Sequence, residues 1–312
     1  MRTKLYPMVK INKNTWEIDE FDCASLFLLE GEDKAMLIDC GMGIGDLRGA
    51  VEQITDKPLI VVISHGHVDH TGNAWQFDDI WIHPADQAAP IPQDIERRKW
   101  DTERIAQRQK GCIGAPYTMY NLYPFDIDED ICDPEPGQKR CVVHDLYDGQ
   151  QFDLGGGRII TAYECPGHSA GEMIFLDEQN RMLFCGDALN FNLGVSAMPV
   201  ETTLRYLKKM QALGDRYDAI FNGHHDFRAL GMPLDEDCLP NAIAILEGVL
   251  RGEMQVCEAP SFWGQSVPLK RRKNFDSAIQ PVNGKGPSMP RVLLRKGRNF
   301  LMINPDNIWE KQ

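Results

Sequence analysis

No run of 18 or more apolar residues occurs in the 312-residue chain, so no transmembrane helix is expected. The N-terminus, Met1-Arg2-Thr3-Lys4-Leu5-Tyr6-Pro7, lacks the apolar stretch of a secretory signal. The nine cysteines contain no C-x-x-C pair, and their number is odd. A secreted disulfide framework is therefore not expected, and free thiols in a reducing cytoplasm are the simplest reading. Positive charge is scarce: 33 Lys and Arg stand against 46 Asp and Glu, a net charge of −13. That argues against a broad surface for nucleic acid or an anionic membrane. Internal repeats and low-complexity tracts are absent, and nothing in the pattern speaks for or against a homo-oligomer.

What is present is an ordinary globular composition, 43% hydrophobic and 25% charged, long enough for a core without staples. Short strands are expected at 25–29, 35–38, 59–63 and 80–83, and again at 158–163, 172–176, 182–185 and 219–221. Helices are expected at 47–54, 94–110, 202–213, with Thr202 as its cap, and 235–251. A last hairpin joins 291–294 to 300–303. Residues 84–145 break the rhythm with a charged helical stretch, an aromatic run from Tyr117 to Phe125 and an acidic tract. They are expected to form an insertion or lid within one domain spanning 1–312. Mixed layers of sheet and helix follow from this order.

Three of the eight histidines fall in His65-Gly66-His67-Val68-Asp69-His70. In an extended loop, residues i and i+2 point the same way, so His65 and His67 can share a cation. Asp69 and His70 follow as the chain turns into a helix and can face a second cation. Imidazole and carboxylate donors suit zinc, iron or manganese better than calcium, with zinc the default. Asp187, after a strand in Phe184-Cys185-Gly186-Asp187, could bridge two metals. His168 and His224 also follow strands and small residues.

The ordered set Asp39, His65-x-His67-x-Asp69-His70, His168, Asp187 and His224 resembles the metallo-β-lactamase-fold superfamily. The resemblance implies an α/β fold, a four-layer αβ/βα sandwich with two divalent metal ions at one edge of the paired sheets. It implies that His65, His67 and His168 hold the first metal. Asp69, His70 and His224 would hold the second, Asp187 would bridge, and Asp39 would support the metal loop from behind. The pairing of His70 with Asp187 differs from true β-lactamases. About 37 residues separate Asp187 from His224, too few for the inserted domain of the nucleic-acid-processing branch. Glyoxalase II-like thioesterases and lactonases remain, although the tyrosines of those two activities are missing, Asn190 standing at the lactonase position.

The expected activity is hydrolysis of a small thioester, ester or lactone. Two cations can share a water and hold it as hydroxide near neutral pH, with Asp69 taking its proton. Alternatives are a phosphodiesterase, a metal-dependent sensor without turnover, and a diiron redox protein. Candidates for substrate contact are Tyr120, Asn190 and His225. The basic run Lys270-Arg271-Arg272-Lys273 reads first as a solvated face.

Overall fold

A computed structural model describes residues 3–89, 91–111, 125–135, 137, 141–195, 197–225, 228–253 and 292–311. Tyr120, the aromatic run up to residue 124 and the basic run 270–273 lie outside these described residues.

Two sheets carry the fold. The first has seven strands in chain order: β1 Met8–Asn12, β2 Thr15–Asp19, β3 Ser25–Glu30, β4 Ala35–Ile38, β5 Leu59–Val62, β6 Asp79–Ile82 and β7 Val142–Asp145. β1 to β4 pair antiparallel, and β4 to β7 run parallel. The second sheet takes β8 Gln151–Asp153, β9 Ile159–Glu164, β10 Met173–Asp177, β11 Met182–Phe184 and β13 Ala219–Phe221, in the order β13-β11-β10-β9-β8. A small third sheet joins β12 Gly194–Val195 to the hairpin β14 Val292–Lys296 and β15 Asn299–Ile303.

The layering follows from two-residue alternation along buried strands. Phe27, Leu29, Met36, Ile38 and Val62 of the first sheet meet Ile160, Ala162, Met173, Phe175 and Phe184 of the second in one shared core. Their neighbours face outward. Leu26, Leu28, Leu37, Val61 and Ile63 pack with Leu47, Ala50 and Val51 of helix α1 Leu47–Val51. On the far side, Ile174, Leu176 and Leu183 pack under two helices. The short α2 Val68–Thr71, the long α3 Ile95–Gly111 and α4 Ile127–Asp130 come first in the chain. The two covering helices are then α5 Val200–Ala212 and α6 Cys238–Leu250. Three cores between four layers make the αβ/βα sandwich.

Three local expectations change. Thr202 does not cap α5: the helix begins at Val200, because Pro199 sets the turn and its carbonyl accepts from Thr203 N at 3.0 Å. Thr202 instead donates its hydroxyl to Glu310 Oε1 at 2.6 Å. α6 starts at Cys238, not Asp235, since Asp235 to Asp237 form its entry turn. Residues 142–145, inside the span expected as an insertion, form β7 at the edge of the first sheet. Among the described residues, no helix is long and apolar enough to cross a membrane.

Candidate metal centre

Strand direction brings the polar clusters together. Asp39 follows β4 and His65 follows β5, parallel neighbours whose C-terminal ends share one edge. β11 and β13 are also parallel, so Asp187 and His224 leave the second sheet side by side. β9, two antiparallel steps from β11, runs the same way and delivers His168. Backbone bonds from Ser25 N to Gly223 O (2.7 Å) and from Met173 N to Ser64 O (2.8 Å) join these segments across the sheets.

The side chains form two half-sites. In the first, His67 Nδ1 lies 2.9 Å from both His65 Nε2 and His168 Nε2. The remaining nitrogens of His65 and His168 are engaged behind. His65 Nδ1 faces Ser64 Oγ at 3.1 Å, and Ser64 donates to Asp39 Oδ2 at 2.8 Å. His168 Nδ1 faces the Gly194 carbonyl at 3.1 Å. This network assigns the protons to Nδ1 and turns both Nε2 lone pairs towards His67. Burial first, then its histidine neighbours, push His65 well below the ordinary imidazole range. Burial and then His168 bring His67 down to about 4.

The second half-site groups Asp69, His70 and His224. The chain is extended at His67 and turns helical at Val68, which sends Asp69 and His70 away from the first group. His70 Nδ1 is 2.9 Å from Asp39 Oδ2, so Asp39 braces both half-sites, one directly and one through Ser64. Here the electrostatics reverse. Burial lowers His70, but Asp39 and Asp69 overcome it and raise its pKa to about 10. Burial likewise opposes His224, yet Asp187 and then Asp69 lift it to about 9. Burial would raise Asp69, but His70 and His224 together hold it below the usual carboxylate range.

Asp187 Oδ2 stands between the halves, 3.5 Å from His168 Nε2, 3.2 Å from His224 Nε2 and 3.9 Å from His70 Nε2. Burial pushes it up, and His224, His168 and His70 outweigh that to leave it well below the carboxylate range. His70 Nε2 and Asp187 Oδ1 are buried without a hydrogen-bond partner. Buried polar atoms rarely go unsatisfied. Three converging imidazole lone pairs, two orphaned donor atoms and a shared carboxylate are the chemistry of a divalent-cation site, so these residues fit the metals. Gly223 is required by crowding here, since a Cβ on it would lie 2.7 Å from His70 Cε1 and 3.0 Å from Asp187 Oδ1.

Several supports carry no recognisable motif in the sequence. Glu172, fully buried, accepts from Asp187 N at 2.9 Å and lies 3.5 Å from His65 Nδ1. Asp86 accepts from Gly66 N at 3.1 Å and from Gly171 N at 2.9 Å, tying the two metal loops together. Glu20 accepts from Gly43 N and Ile44 N, and burial raises it to about 8. Gly167-His168-Ser169-Ala170-Gly171 has the outward form of a serine-hydrolase elbow. Its serine is not set up as a nucleophile: Ser169 Oγ is buried and donates to Asp86 Oδ2 at 2.5 Å.

A cavity of about 320 Å³ opens on Asp69, His168, Asp187 and His224. Asn190 lines it, as do Asn192, Arg104, Ile105, Leu193 and Met302. His225 does not. Its Nε2 turns to Asp19 Oδ1 (2.9 Å) and Asp22 Oδ1 (3.3 Å), an ion-paired clasp beside the centre. Although burial opposes the charge, Asp19 chiefly keeps His225 protonated.

The family model described as "Metallo-beta-lactamase superfamily" matches residues 22–224. The chain is 26% identical over 210 residues to the acyl-coenzyme A thioesterase MBLAC2 of Homo sapiens, covering 62% of this chain and 68% of that one. It is 31% identical over 147 residues to an atrochrysone carboxyl ACP thioesterase of Pseudocercospora fijiensis, covering 47% and 39%. A metallo-beta-lactamase from Pontibacter korlensis superposes with a TM-score of 0.51 at 15% identity, over 78% of this chain and 99% of that one. At that identity the likeness speaks for the fold alone.

Proposed function

The chain belongs to the metallo-beta-lactamase superfamily, and on that footing we propose that it is a dinuclear metal-dependent hydrolase of small acyl substrates, with thioesters first. One observation carries the reading: Asp187 Oδ2 lies within 4 Å of a histidine nitrogen from each half-site, beside an open cavity. The thioesterase names of two relatives support the choice of acyl group. His65, His67 and His168 would hold one cation, Asp69, His70 and His224 the other, with Asp187 shared. When bound, two such cations lower the pKa of water and polarise a carbonyl; zinc is the first expectation.

The chain's own groups supply the rest. Asp69 lines the cavity and is ionised at neutral pH, so its carboxylate takes the proton of the attacking water. The water oxygen bonds to the acyl carbon, the carbon–sulfur bond breaks, and the leaving thiolate takes the proton from Asp69 to depart as a thiol, which returns Asp69 to its carboxylate. Asp39, Ser64 and Glu172 hold the rings and the bridging carboxylate in place without touching substrate. Arg104 and Ile105 of α3, within the 84–145 stretch, line this cavity, which supports a part for that stretch in enclosing substrate.

The test is metal analysis followed by a panel of acyl thioesters, lactones, aryl esters and bis(p-nitrophenyl) phosphate. Two equivalents of metal and preferential thioester cleavage are expected. Inactivity on every acyl substrate together with brisk phosphodiester cleavage would replace the reading with a phosphodiesterase.

A further inference from the structure

The cavity over the metal centre holds a polar group that the hydrolytic steps leave unused. Asn190 lines it and is only 5% exposed, and its Oδ1 is buried without a hydrogen-bond partner. Buried acceptors rarely go unsatisfied, and one left so carries a free-energy cost that a donor on a ligand can relieve. The side chain is held where it stands. Leu189, Phe191 and Leu193 are buried in the core under α5 and α6, and Asn190 and Asn192 between them line the cavity. Strand β15 pins the backbone on both sides of Asn192: Phe300 N donates to Phe191 O at 2.5 Å, and Met302 N donates to Leu193 O at 2.9 Å. A stretch fixed in this way loses little entropy when its amides engage a ligand.

The lining narrows the ligand. Asp22, Asp69 and Asp187 share it with Arg104, so the wall favours neither sign of ligand charge. The unmet atom of Asn190 is an acceptor and calls for a donor, which a carbonyl oxygen or a developing oxyanion does not supply. With the carboxamide turned by half a rotation, Nδ2 takes that place and calls for an acceptor. A secondary amide carries one of each and answers Asn190 in both settings. A trans amide points its N–H and its C=O in opposite directions. Two carboxamides, Asn190 and Asn192, therefore suit it, whereas a hydroxyl needs only one.

We infer that Asn190, with Asn192, recognises a neutral secondary amide carried by the substrate away from the scissile bond, and so makes the enzyme selective for amide-bearing thioesters. The inference rests on the thioester reading above. The amide stands either on the thiol or in the acyl group, and two substrate sets separate these sources. On the thiol side, the propionyl thioesters of N-acetylcysteamine, 2-mercaptoethyl acetate and pentanethiol carry an amide, an ester in its place, and neither. On the acyl side, the ethanethiol thioesters of N-acetyl-β-alanine, 3-acetoxypropionic acid and hexanoic acid make the same series.

The experiment measures kcat/KM for each series in wild type, Asn190→Leu, Asn190→Ala and Asn192→Ala, with metal content verified in all four. In the wild type, at least one amide exceeds its ester counterpart by about tenfold, the size of one hydrogen bond to a buried acceptor. Asn190→Leu and Asn190→Ala bring that ratio close to one, chiefly through KM. Asn192→Ala lowers amide and ester together against the alkyl thioester, by about threefold. A wild-type ratio near one in both series overturns the inference. So does an equal loss on all three substrates in the Asn190 variants, the mark of a role at the scissile bond. A propionyl thioester of 3-mercaptopropanol that matches the amide overturns it as well, in favour of a hydroxyl. If both Asn190 variants lose metal, Asn192→Ala decides, and unchanged preferences there reject the amide site. If wild type cleaves no thioester, the thioester reading fails by itself. Binding of uncleavable thioethers, followed by NMR titration of the metal-loaded protein, then decides on Asn190. S-butyl-N-acetylcysteamine binds wild type about tenfold more tightly than 2-(butylthio)ethyl acetate, and Asn190→Leu removes the difference. Equal affinities in the wild type reject the amide site whatever the reaction.

Discussion

The two half-sites sit a few ångströms apart and share Asp39 and Asp187, yet their imidazoles are poised in opposite ways. His65 and His67 are neutral at pH 7, the latter held at about 4. His70 and His224 hold protons up to about 10 and 9. The cause is the carboxylate count. In the first group Asp187 acts on His65, and Asp69 and Asp187 on His67, but against burial and the neighbouring imidazoles they do not suffice, so burial wins. The second is walled by Asp39, Asp69 and Asp187, and their charges outweigh burial. A cation entering the first half-site finds lone pairs ready. One entering the second must displace protons. The lesson is that a nearly symmetric set of donors can load its metals in order, with pH acting on one of them.

The strongest way to break this comparison is to remove what the halves share. Asp187→Asn should drop both metals below one equivalent in total and cut hydrolysis about a thousandfold. Retention of one full equivalent with near-normal activity would refute the shared role. Next is pH. Loading of the second metal should release up to two protons and tighten by up to about a hundredfold per unit between pH 7 and 9, whereas the first should barely respond. Calorimetry in buffers of different ionisation enthalpy reads the proton count directly.

The same contrast predicts the metal-free protein's stability. A histidine raised in the folded state stabilises most fully below its unfolded pKa of about 6.5, and that contribution fades as pH climbs through its folded value. For His224 and His70 the loss therefore falls as pH rises towards about 9 and about 10. His65 and His67, lowered on folding, act the other way and withdraw stability as pH falls below about 6.5. A melting-temperature profile that declines on both sides of neutrality is expected. A flat profile from pH 5 to 10 would contradict the assignment.

Smaller effects sharpen the division. Asp39→Asn should weaken the second metal by about 10- to 100-fold, because its contact to His70 is direct. The first metal should suffer less, because that contact passes through Ser64. Ser64→Ala should then affect only the first, by several-fold or less. A larger loss at the second metal from Ser64→Ala would show that the relay is misassigned.

How much of this could be read before folding depends on spacing. His65 to His70 announce themselves because ligands two residues apart on an extended turn, followed by a helix, need only local geometry. The strands that deliver His168, Asp187 and His224 were legible for the same reason: each is a short apolar run ending in a polar cluster. Glu172 and Asp86 were not. A glutamate near the start of a strand and an aspartate in a turn are ordinary until the sheets dock and place them against His65 and Gly66. β7 was hidden inside a stretch that looks like insertion, since Val142 and Val143 at the exposed edge of a sheet show no buried pattern. The Thr202 cap failed because Pro199 upstream had already set the helix start.

By itself, then, the sequence determined the fold family, the seven candidate metal donors and Asp39 behind them, since each rests on residue type and local order. Only the tertiary structure decided that one carboxylate stands between two unlike half-sites. It alone decided that Asp39 braces both halves, that His225 turns away to Asp19 and Asp22, and that Arg104 faces the cavity. These depend on which charges burial brings within a few ångströms of one another. That is a property of two docked sheets and the helix laid across their edge, and of no single stretch of chain.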